Sequence, residues 1–374
     1  MEFTTVVESL ASEISLAQSI VEKRTTVPVL GSVRLEALEG SSDSVKLEAT
    51  DLELSLTSSV YADVKEPGAV LVSAKRLHEY VSLLPSEEKI HVKANEKSVL
   101  FTCGKNKTRM PSLVMDTFPP LPKPQSAGIL IPAFPFINGL SRIQFAITDV
   151  EGRYALAGFL FKIYSDGFTL ASTDGNKLAI SNHLLSEEFA YTGAERKAVV
   201  TKKAVSAIHK TFNKLEAGAS VNVVLDTNHI FLQYGDRILS SRLVEGRFPD
   251  YQRILPTNER PVVEVDSVLL KEVLNRVSRF SDQDSRAVNI VLDASELCIL
   301  ASNGQEGEAS ESIDTLSDPN LEYSKTFNSQ DLMDFARAAD GNVIQLFLDR
   351  NARNMECRIK GDSTYQFLMS SMGN

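Results

Sequence analysis

The sequence predicts an α+β fold made of three tandem copies of one domain, each with helices on one face of antiparallel sheets. Three markers support this prediction, because they return in the same order after 123 to 131 residues. Such a period is too long for a solenoid repeat and too regular for unrelated domains. The markers are a strand that ends in a small or polar turn (residues 45–51, 168–174 and 297–303), a helix N-cap (Ser73, Thr201 and Asn328) and a strand that closes on glycine (Gly104, Gly235 and Gly361).

The length and the proline-rich stretches indicate the domain boundaries. A chain of 374 residues suits two or three cores of ~100–150 residues each. Polar segments rich in proline at residues 118–124 and 256–261 are typical of linkers. We therefore expect a first copy at residues 1–127, a middle copy at 128–257 and a last copy at 258–374.

Each copy is predicted to hold two helices between runs of strands. Leu10 and Ile14 are four residues apart, which places both side chains on one face of the first helix. Alternating apolar and polar residues at 45–48 and 221–223 indicate strands with one buried face. The second helices of the three copies are predicted at residues 77–84, 204–215 and 331–339.

The sequence lacks the features of several other protein classes. No apolar run approaches the ~18 residues of a membrane span, and no secretory signal begins the chain. Cys103, Cys298 and Cys357 are odd in number and far apart, which favours a reducing cytoplasm over a disulfide framework. No catalytic motif is present, and the five histidines are scattered. We expect a cytoplasmic protein that is not an enzyme and holds no metal or cofactor.

Positive charge is concentrated on the predicted helices, although the net charge is −10. Lys203, Lys210 and Lys214 are spaced by seven and four residues, so they share one helical face. Acidic residues concentrate in strands and turns, as at Glu308 and Glu311. With no Trp and 7% aromatic residues, the chain lacks a platform for stacking single-stranded bases. The pattern favours weak, salt-dependent contact with duplex phosphates.

Four segments resemble the β subunit of bacterial DNA polymerase III, the sliding clamp family. They are residues 24–31, 153–158, 173–179 and 243–251, and the last is the most specific. The resemblance covers the whole chain. It implies a head-to-tail homodimer that forms a six-domain ring around duplex DNA and tethers the replicative polymerase. By position and charge, the residues expected to face DNA are Arg24, Lys75, Arg76, Lys203, Lys210, Arg276 and Arg279.

The resemblance also implies a hydrophobic pocket for a short linear peptide from polymerases, the clamp loader and repair proteins. Apolar side chains would bury the Leu and Phe of the peptide, and polar groups would orient it. The C-terminus departs from the family pattern, because Ser371 replaces a proline and Gly373 an arginine. We expect peptide affinity to differ accordingly. The implied pocket residues are Leu156, Thr173, Gly175, Lys177, Leu178, Pro249, Arg253, Ile254, Leu368, Met369 and Met372.

Charge patterns suggest where the two subunits of such a dimer would meet. Lys105 and Lys107 alternate on a strand that ends the first copy, and Glu306 and Glu308 alternate on a strand of the last copy. Edge-to-edge pairing of these strands would continue the sheet between subunits, with opposite charges setting the register. Apolar contacts at this interface are expected from Met110 and Phe280.

Two other functions remain open from the residues. One is a relative of the clamp that does not encircle DNA and acts as a peptide-binding scaffold. The other is an enzyme whose site carries no known motif. The state of dimerisation separates the scaffold from the clamp, and a pocket with convergent titratable groups would favour the enzyme.

Overall fold

The fold consists of helices packed on antiparallel sheets throughout the described residues. The computed structural model describes residues 1–22, 24–38, 44–148, 156–189, 191, 193–258, 260–293, 296–304, 307–315 and 322–373. None of its helices in these ranges is long and apolar enough to cross a membrane. Within this part of the chain, contacts divide into two compact units: Met1–Ile137 with Lys203–Leu243, and Asn138–Lys202 with Val244–Asn374.

The order of elements repeats three times, which confirms the prediction of three similar copies. Each copy runs strand, helix, several strands, helix and three strands, and the first copy has one additional strand before its second helix. The six helices of the described residues are α1 (Val7–Ile20), α2 (Ala74–Val81), α3 (Ala133–Ile143), α4 (Lys202–Phe212), α5 (Ser267–Val277) and α6 (Ser329–Ala338).

Burial alternates along several strands, as at Val221 and Val223 on either side of Asn222, whereas Gly167–Thr173 is buried throughout. In the first copy the strands are β1 (Glu2–Val6), β2 (Ser32–Leu38), β3 (Ser44–Thr50), β4 (Leu54–Tyr61), β5 (Asp63–Glu66), β6 (Gly68–Ser73), β7 (Lys89–Ala94), β8 (Ser98–Cys103) and β9 (Asn106–Pro111). In the middle copy they are β10 (Ile129–Pro132), β11 (Gly158–Tyr164), β12 (Gly167–Thr173), β13 (Lys177–Leu184), β14 (Arg196–Thr201), β15 (Ser220–Leu225), β16 (His229–Tyr234) and β17 (Arg237–Arg242). In the last copy they are β18 (Val262–Asp266), β19 (Ala287–Asp293), β20 (Glu296–Asn303), β21 (Gly307–Asp314), β22 (Tyr323–Asn328), β23 (Val343–Phe347), β24 (Asn354–Ile359) and β25 (Asp362–Ser370).

The second helix of each copy begins two or three residues before its predicted start. In α2 and α6 the reason is the N-cap, since Ser73 accepts a hydrogen bond from the Arg76 amide and Asn328 accepts from the amides of Gln330 and Asp331. These side chains satisfy backbone donors that the first turn leaves free. Of the three predicted N-caps, Ser73 and Asn328 therefore cap their helices through side-chain hydrogen bonds.

The marker glycines lie in the hairpin turns that close each copy. Gly104 and Gly235 both have φ of +54° and Gly361 has φ of +80°. Tight hairpin turns use this left-handed region, which glycine enters without steric cost. The repeat of the glycine thus reflects a repeat of the hairpins β8–β9, β16–β17 and β24–β25.

Each compact unit contains one eight-stranded sheet shared by two copies. In the first unit the strand order is β10-β15-β16-β17-β4-β3-β2-β6, so β17 of the middle copy pairs with β4 of the first. In the second unit the order is β14-β11-β12-β13-β25-β24-β23-β18, so β25 of the last copy pairs with β13 of the middle. Both junctions join the final strand of one copy to the third strand after the first helix of the preceding copy.

Each unit also holds one smaller sheet that belongs to a single copy. The first unit has β5-β1-β7-β8-β9 and the second has β21-β20-β19-β22. Among the described residues, β9 and β21 are edge strands with no partner on their outer sides. They are the first-copy and last-copy counterparts of the strands that form the two junctions.

A buried ion pair ties α1 to the junction strand β17. Glu13 is 5% exposed, and Arg237 donates from Nε to both of its carboxylate oxygens at 3.1 and 3.2 Å. Removal of one partner from such a pair leaves an uncompensated buried charge. The pair therefore fixes β17 against the first copy.

Substitution of Arg237→Ala should destabilise the protein by ~2 kcal/mol, because it leaves the Glu13 carboxylate buried without its cation. The measurement is urea unfolding monitored by fluorescence or circular dichroism. Arg242→Ala on the same strand is the control, since that side chain is exposed, and its effect should stay below ~0.5 kcal/mol. Equal effects of the two substitutions would show that the Glu13 pair does not stabilise the junction.

A second, partly buried polar group lies on β13, one of the two strands of the other junction. His183 of β13 stacks on Phe168 at 4.9 Å between ring centroids, and its Nε2 is 2.8 Å from the Ser181 hydroxyl. Burial, together with the nearby Arg142 guanidinium, lowers the pKa of His183 to about 4. The folded protein consequently holds this imidazole neutral at neutral pH.

Stability should fall as the pH drops below about 6.5 towards about 4, because the unfolded chain then protonates His183 and the folded chain does not. His183→Gln should reduce this loss, so the wild type should lose more stability than the variant between about pH 7.5 and about pH 5. Thermal unfolding at both pH values measures the difference. An identical loss in the two proteins would contradict the assignment.

Candidate functional site

One sheet face of the middle copy carries a cluster of buried apolar side chains, which we call the apolar face. It comprises Leu160, Ala171, Leu178, Ile180 and Leu368, and none is more than 5% exposed. Phe248, Tyr251 and Leu255 pack against it and belong to residues 246–255, which we call the covering segment. The apolar face therefore lies beneath a short aromatic cover rather than beneath a helix.

Strand register explains how these residues meet. Leu160 pairs with Ala171, Ala171 with Ile180, and Leu178 with Leu368 across the junction between middle and last copies. Side chains at directly paired positions point to the same face of a sheet. The last-copy strand β25 thus completes a surface begun by β11, β12 and β13.

The first copy has polar residues at the corresponding positions. Its equivalent strands place Arg34 opposite Glu48 and Ser55 opposite Ser240, with Thr57 next to Glu48. Arg34 forms a salt bridge with Glu48, and the hydroxyls of Ser55 and Ser240 lie 2.6 Å apart. At the position of each residue of the apolar face, the first unit thus has a charged or hydroxyl-bearing side chain.

The last copy is also largely polar at these positions. Asn289 pairs with Leu300, Leu300 with Ser310, and Ser302 with Glu308. The counterparts of Leu160, Ala171, Ile180 and Leu178 are Asn289, Leu300, Ser310 and Glu308, and only Leu300 is apolar. Among the described residues, the middle copy is the one whose corresponding sheet face is apolar.

Several residues of the expected pocket lie on or around the apolar face. Thr173 pairs with Leu178 at its edge, and Gly175 lies in the turn between β12 and β13 with φ of +97°. Ile254 is 50% exposed and Met372 is 36% exposed. The others have known positions: Leu156 is half-buried before β11, Leu368 belongs to the face, and Pro249 and Arg253 are exposed on the covering segment.

Two residues of that set point away from the apolar face, and their place in the pocket stays a prediction. Lys177 and Met369 pair with each other one position away from Leu178 and Leu368, so their side chains point to the opposite sheet face. Met369 is 1% exposed, and the Lys177 ammonium lies 2.5 Å from Asp331 of α6. Lys177 consequently ties the middle copy to the last copy and does not line the apolar face.

The Lys177 pair is partly withdrawn from solvent. Burial acts to lower the pKa of Lys177, but the hydrogen bond to Asp331 and the negative charges of Asp331, Asp174 and Asp334 together outweigh it, so the pKa is raised. For Asp331, burial and the negative charges of Asp174 and Asp334 together raise the pKa more than Lys177 lowers it. Both groups are best described as one buried ion pair in which Lys177 remains charged.

Sequence reasoning missed Leu160, Ala171, Ile180, Phe248 and Tyr251. The alternation of Leu178 and Ile180 along β13 was an available signal, and the aromatic residues of the 243–251 segment were another. Pairing of β25 with β13 joins residues far apart in the chain, so no local pattern could show that Leu368 completes the face.

Two of the basic residues expected to face DNA are engaged by carboxylates. Lys203 forms a salt bridge with the buried Asp51 and lies 3.8 Å from Glu53. Arg276 pairs with Glu311 at 2.6 Å, and this bond raises the pKa of Arg276. Their charges are therefore partly compensated within the protein, and the expectation that both residues face DNA stays a prediction.

The other basic residues of that set are exposed. Lys75 and Arg76 lie in the first turn of α2, and Lys210 lies in the last turn of α4. Arg24 lies after α1, which ends at Ile20, and Arg279 lies in a 3-10 turn at Ser278–Phe280. Neither residue lies on an α-helix, and both side chains are exposed.

The edge strands β9 and β21 carry part of the expected dimer interface. Lys107 and Glu308 are exposed on them, whereas Lys105 lies in the preceding turn and not on the strand. Met110 is 7% exposed and belongs to its own core, which corrects its expected contact role. Phe280 is 37% exposed. Glu306 lies outside the described residues.

Nothing in the described part of the chain gathers three or more His, Cys, Asp or Glu side chains in a metal-binding arrangement. Cys103 and Cys357 are buried, and burial raises the pKa of both thiols. The buried ionisable groups instead form pairs between elements, as Glu13 does with Arg237 and Lys177 with Asp331.

Comparison with known proteins gives matches along the whole chain. Models of the N-terminal, central and C-terminal domains of the DNA polymerase III beta subunit match residues 1–122, 131–250 and 252–372. The beta sliding clamp of Pseudomonas putida is 30% identical over 315 residues, which is 84% of each chain. That of Escherichia coli is 26% identical over 376 residues and covers 100% of both chains.

Solved structures agree with the sequence comparisons. The crystal structure of the DNA polymerase III subunit beta from Pseudomonas aeruginosa matches with a TM-score of 0.92 at 26% identity, over 100% of both chains. The sliding clamp of the same organism bound to griselimycin matches equally well, with a TM-score of 0.92 at 26% identity and the same coverage. The chain belongs to the DNA polymerase III beta subunit family, the beta sliding clamps.

Proposed function

We propose that this protein is a DNA sliding clamp: two copies join head to tail in a ring around duplex DNA and tether the replicative polymerase. Family membership supports the function, and the relatives named above are beta sliding clamps. The protein would have no catalytic site of its own. Its work would be topological retention on DNA and capture of partner proteins.

The incomplete sheets carry the proposal of a ring. Each eight-stranded sheet joins four strands of one copy to four strands of the next. The first copy and the last copy each keep a smaller sheet that ends in an unpaired edge, at β9 and β21 respectively. Pairing of β9 with β21 of a second molecule would complete a third sheet of the same kind, and two such seams close a ring.

Charge supports this seam. Exposure alternates along both strands, so Lys107 and Arg109 point to one sheet face and Met110 to the other, while Glu308 is exposed and Ala309 is half-buried. Pairing in phase with the buried positions places both cations on the same face as Glu308 of the partner subunit. Opposite charges on neighbouring strands stabilise such pairing.

Reversal of both charges in Lys107→Glu with Arg109→Glu should weaken dimerisation at least about tenfold, because like charges then oppose each other across the seam. Sedimentation velocity over a concentration series measures the change. Adding Glu308→Lys should recover part of the affinity, and Lys97→Glu in an exposed turn is the control. A wild-type monomer would instead favour the scaffold that does not encircle DNA.

The exposed cations supply the proposed contact with DNA. Arg24, Lys75, Arg76, Lys210 and Arg279 are exposed and carry no buried carboxylate partner among the described residues. Contacts through such flexible side chains bind phosphates without reading sequence. The compensated charges of Lys203 and Arg276 keep the total attraction modest, which suits a protein that moves along DNA.

The apolar face carries the proposal of a peptide pocket. It occurs in the middle copy, where the first copy has Arg34, Glu48 and Ser55 at matching positions. A face of Leu and Ile that is polar in the first copy indicates a binding role beyond the needs of the fold. Leucine and phenylalanine of a partner peptide would pack against the exposed Ile254 and Met372, at the margin of the covered face.

Substitution of Ile254→Glu should weaken binding of a synthetic peptide with a leucine–phenylalanine core at least about tenfold, since a charge would replace an apolar contact. Ile254 is 50% exposed, so the fold should tolerate the change. Fluorescence anisotropy with labelled peptide is the measurement. Leu130→Glu is the matched control at 52% exposure in β10, and an equal loss in the control would contradict the location of the pocket.

A further inference from the structure

A groove adjoins the apolar face on the side of the edge strand β14. Its volume is about 430 Å³, and β11, β14 and the covering segment line it. Leu160 and Val199 form the floor, and Phe248 and Tyr251 form one wall. Leu160, Phe248 and Tyr251 also belong to the apolar face or its cover, so the two surfaces are continuous.

The rim of this groove carries uncompensated positive charge. Lys162 and Lys197 occupy directly paired positions on β11 and β14, where like charges destabilise a sheet. Glu195 lies 2.9 Å from the Lys162 ammonium and compensates one of the two. Lys197 and Arg247 are exposed, and among the described residues neither has a carboxylate partner.

The acidic residue that follows Arg247 in the same segment, Asp250, does not cancel this charge. The Asp250 carboxylate forms a salt bridge with Arg253, three residues further along the chain, at 2.8 Å. Two cations, Lys197 and Arg247, thus remain beside an apolar floor. A ligand that matches the cations and the apolar lining carries acidic groups on a peptide backbone or on an apolar framework.

The first copy shows that the fold does not require these cations. The positions equivalent to Lys162 and Lys197 hold Glu36 and Ala69, which pair with each other on β2 and β6. Thr117 precedes Phe118 and Pro119 in the first copy, as Arg247 precedes Phe248 and Pro249 in the middle copy. The positive groove therefore accompanies the apolar face and is absent where that face is polar.

We propose that this groove binds an acidic stretch that flanks the leucine–phenylalanine core of a partner peptide. The inference rests on the proposed peptide pocket and extends it by a second, electrostatic contact. Lys197 and Arg247 would pair with aspartate or glutamate side chains, and the backbone of the stretch would lie on Leu160 and Val199. Partners with acidic flanks would then be favoured over partners with neutral flanks.

The test compares two labelled synthetic peptides that share the leucine–phenylalanine core. One carries three aspartates on each side of the core, and the other carries three asparagines. The protein variant is Lys197→Ala with Arg247→Thr, which introduces the first-copy residues at exposed positions. The control variant, Lys97→Ala with Arg242→Thr, removes the same charge from exposed positions elsewhere.

In low salt the wild type and the control should bind the acidic peptide about tenfold more tightly than the neutral one. The groove variant should lose this preference and keep its affinity for the neutral peptide. Equal binding of both peptides by the wild type would overturn the groove proposal and leave the pocket standing. Failure of both peptides to bind would overturn the pocket itself.

Discussion

Antiparallel pairing between the last strand of one copy and the preceding copy is the constraint on which the architecture depends. At β17–β4 and β25–β13 this pairing satisfies backbone groups that an isolated copy would leave at a sheet edge. The same pairing forms the apolar face, because Leu368 comes from the following copy. Among the described residues β9 and β21 keep open edges, so this part of a single chain satisfies the constraint at two junctions.

Repetition of the fold without repetition of its surfaces gives each copy different side chains at matching positions. The backbone pattern recurs, yet Leu178 of the middle copy corresponds to Ser55 of the first, which bonds Ser240. Burying apolar side chains at one junction and hydroxyls at the other costs the fold little, since both are satisfied locally. The copies thereby differ in the side chains that they place on matching sheet faces and not in how they pair.

Local patterns predicted the repeat, the strands and the caps at Ser73 and Asn328, because these depend on neighbouring residues. Contacts between distant segments could not be read in the same way. Asp51 compensates Lys203, and Glu311 compensates Arg276, through pairings set by tertiary structure. The family resemblance placed Lys177 and Met369 in the pocket, but strand alternation turns both to the opposite face.

Retention on closed DNA tests the proposed ring most directly. The protein would be loaded on nicked circular DNA and then separated from free protein by gel filtration, with and without linearisation of the DNA. A ring held by topology should stay on the circle and slide off the linear molecule, since its phosphate contacts alone are weak in moderate salt. Equal retention on both, or on neither, would contradict the encircling dimer.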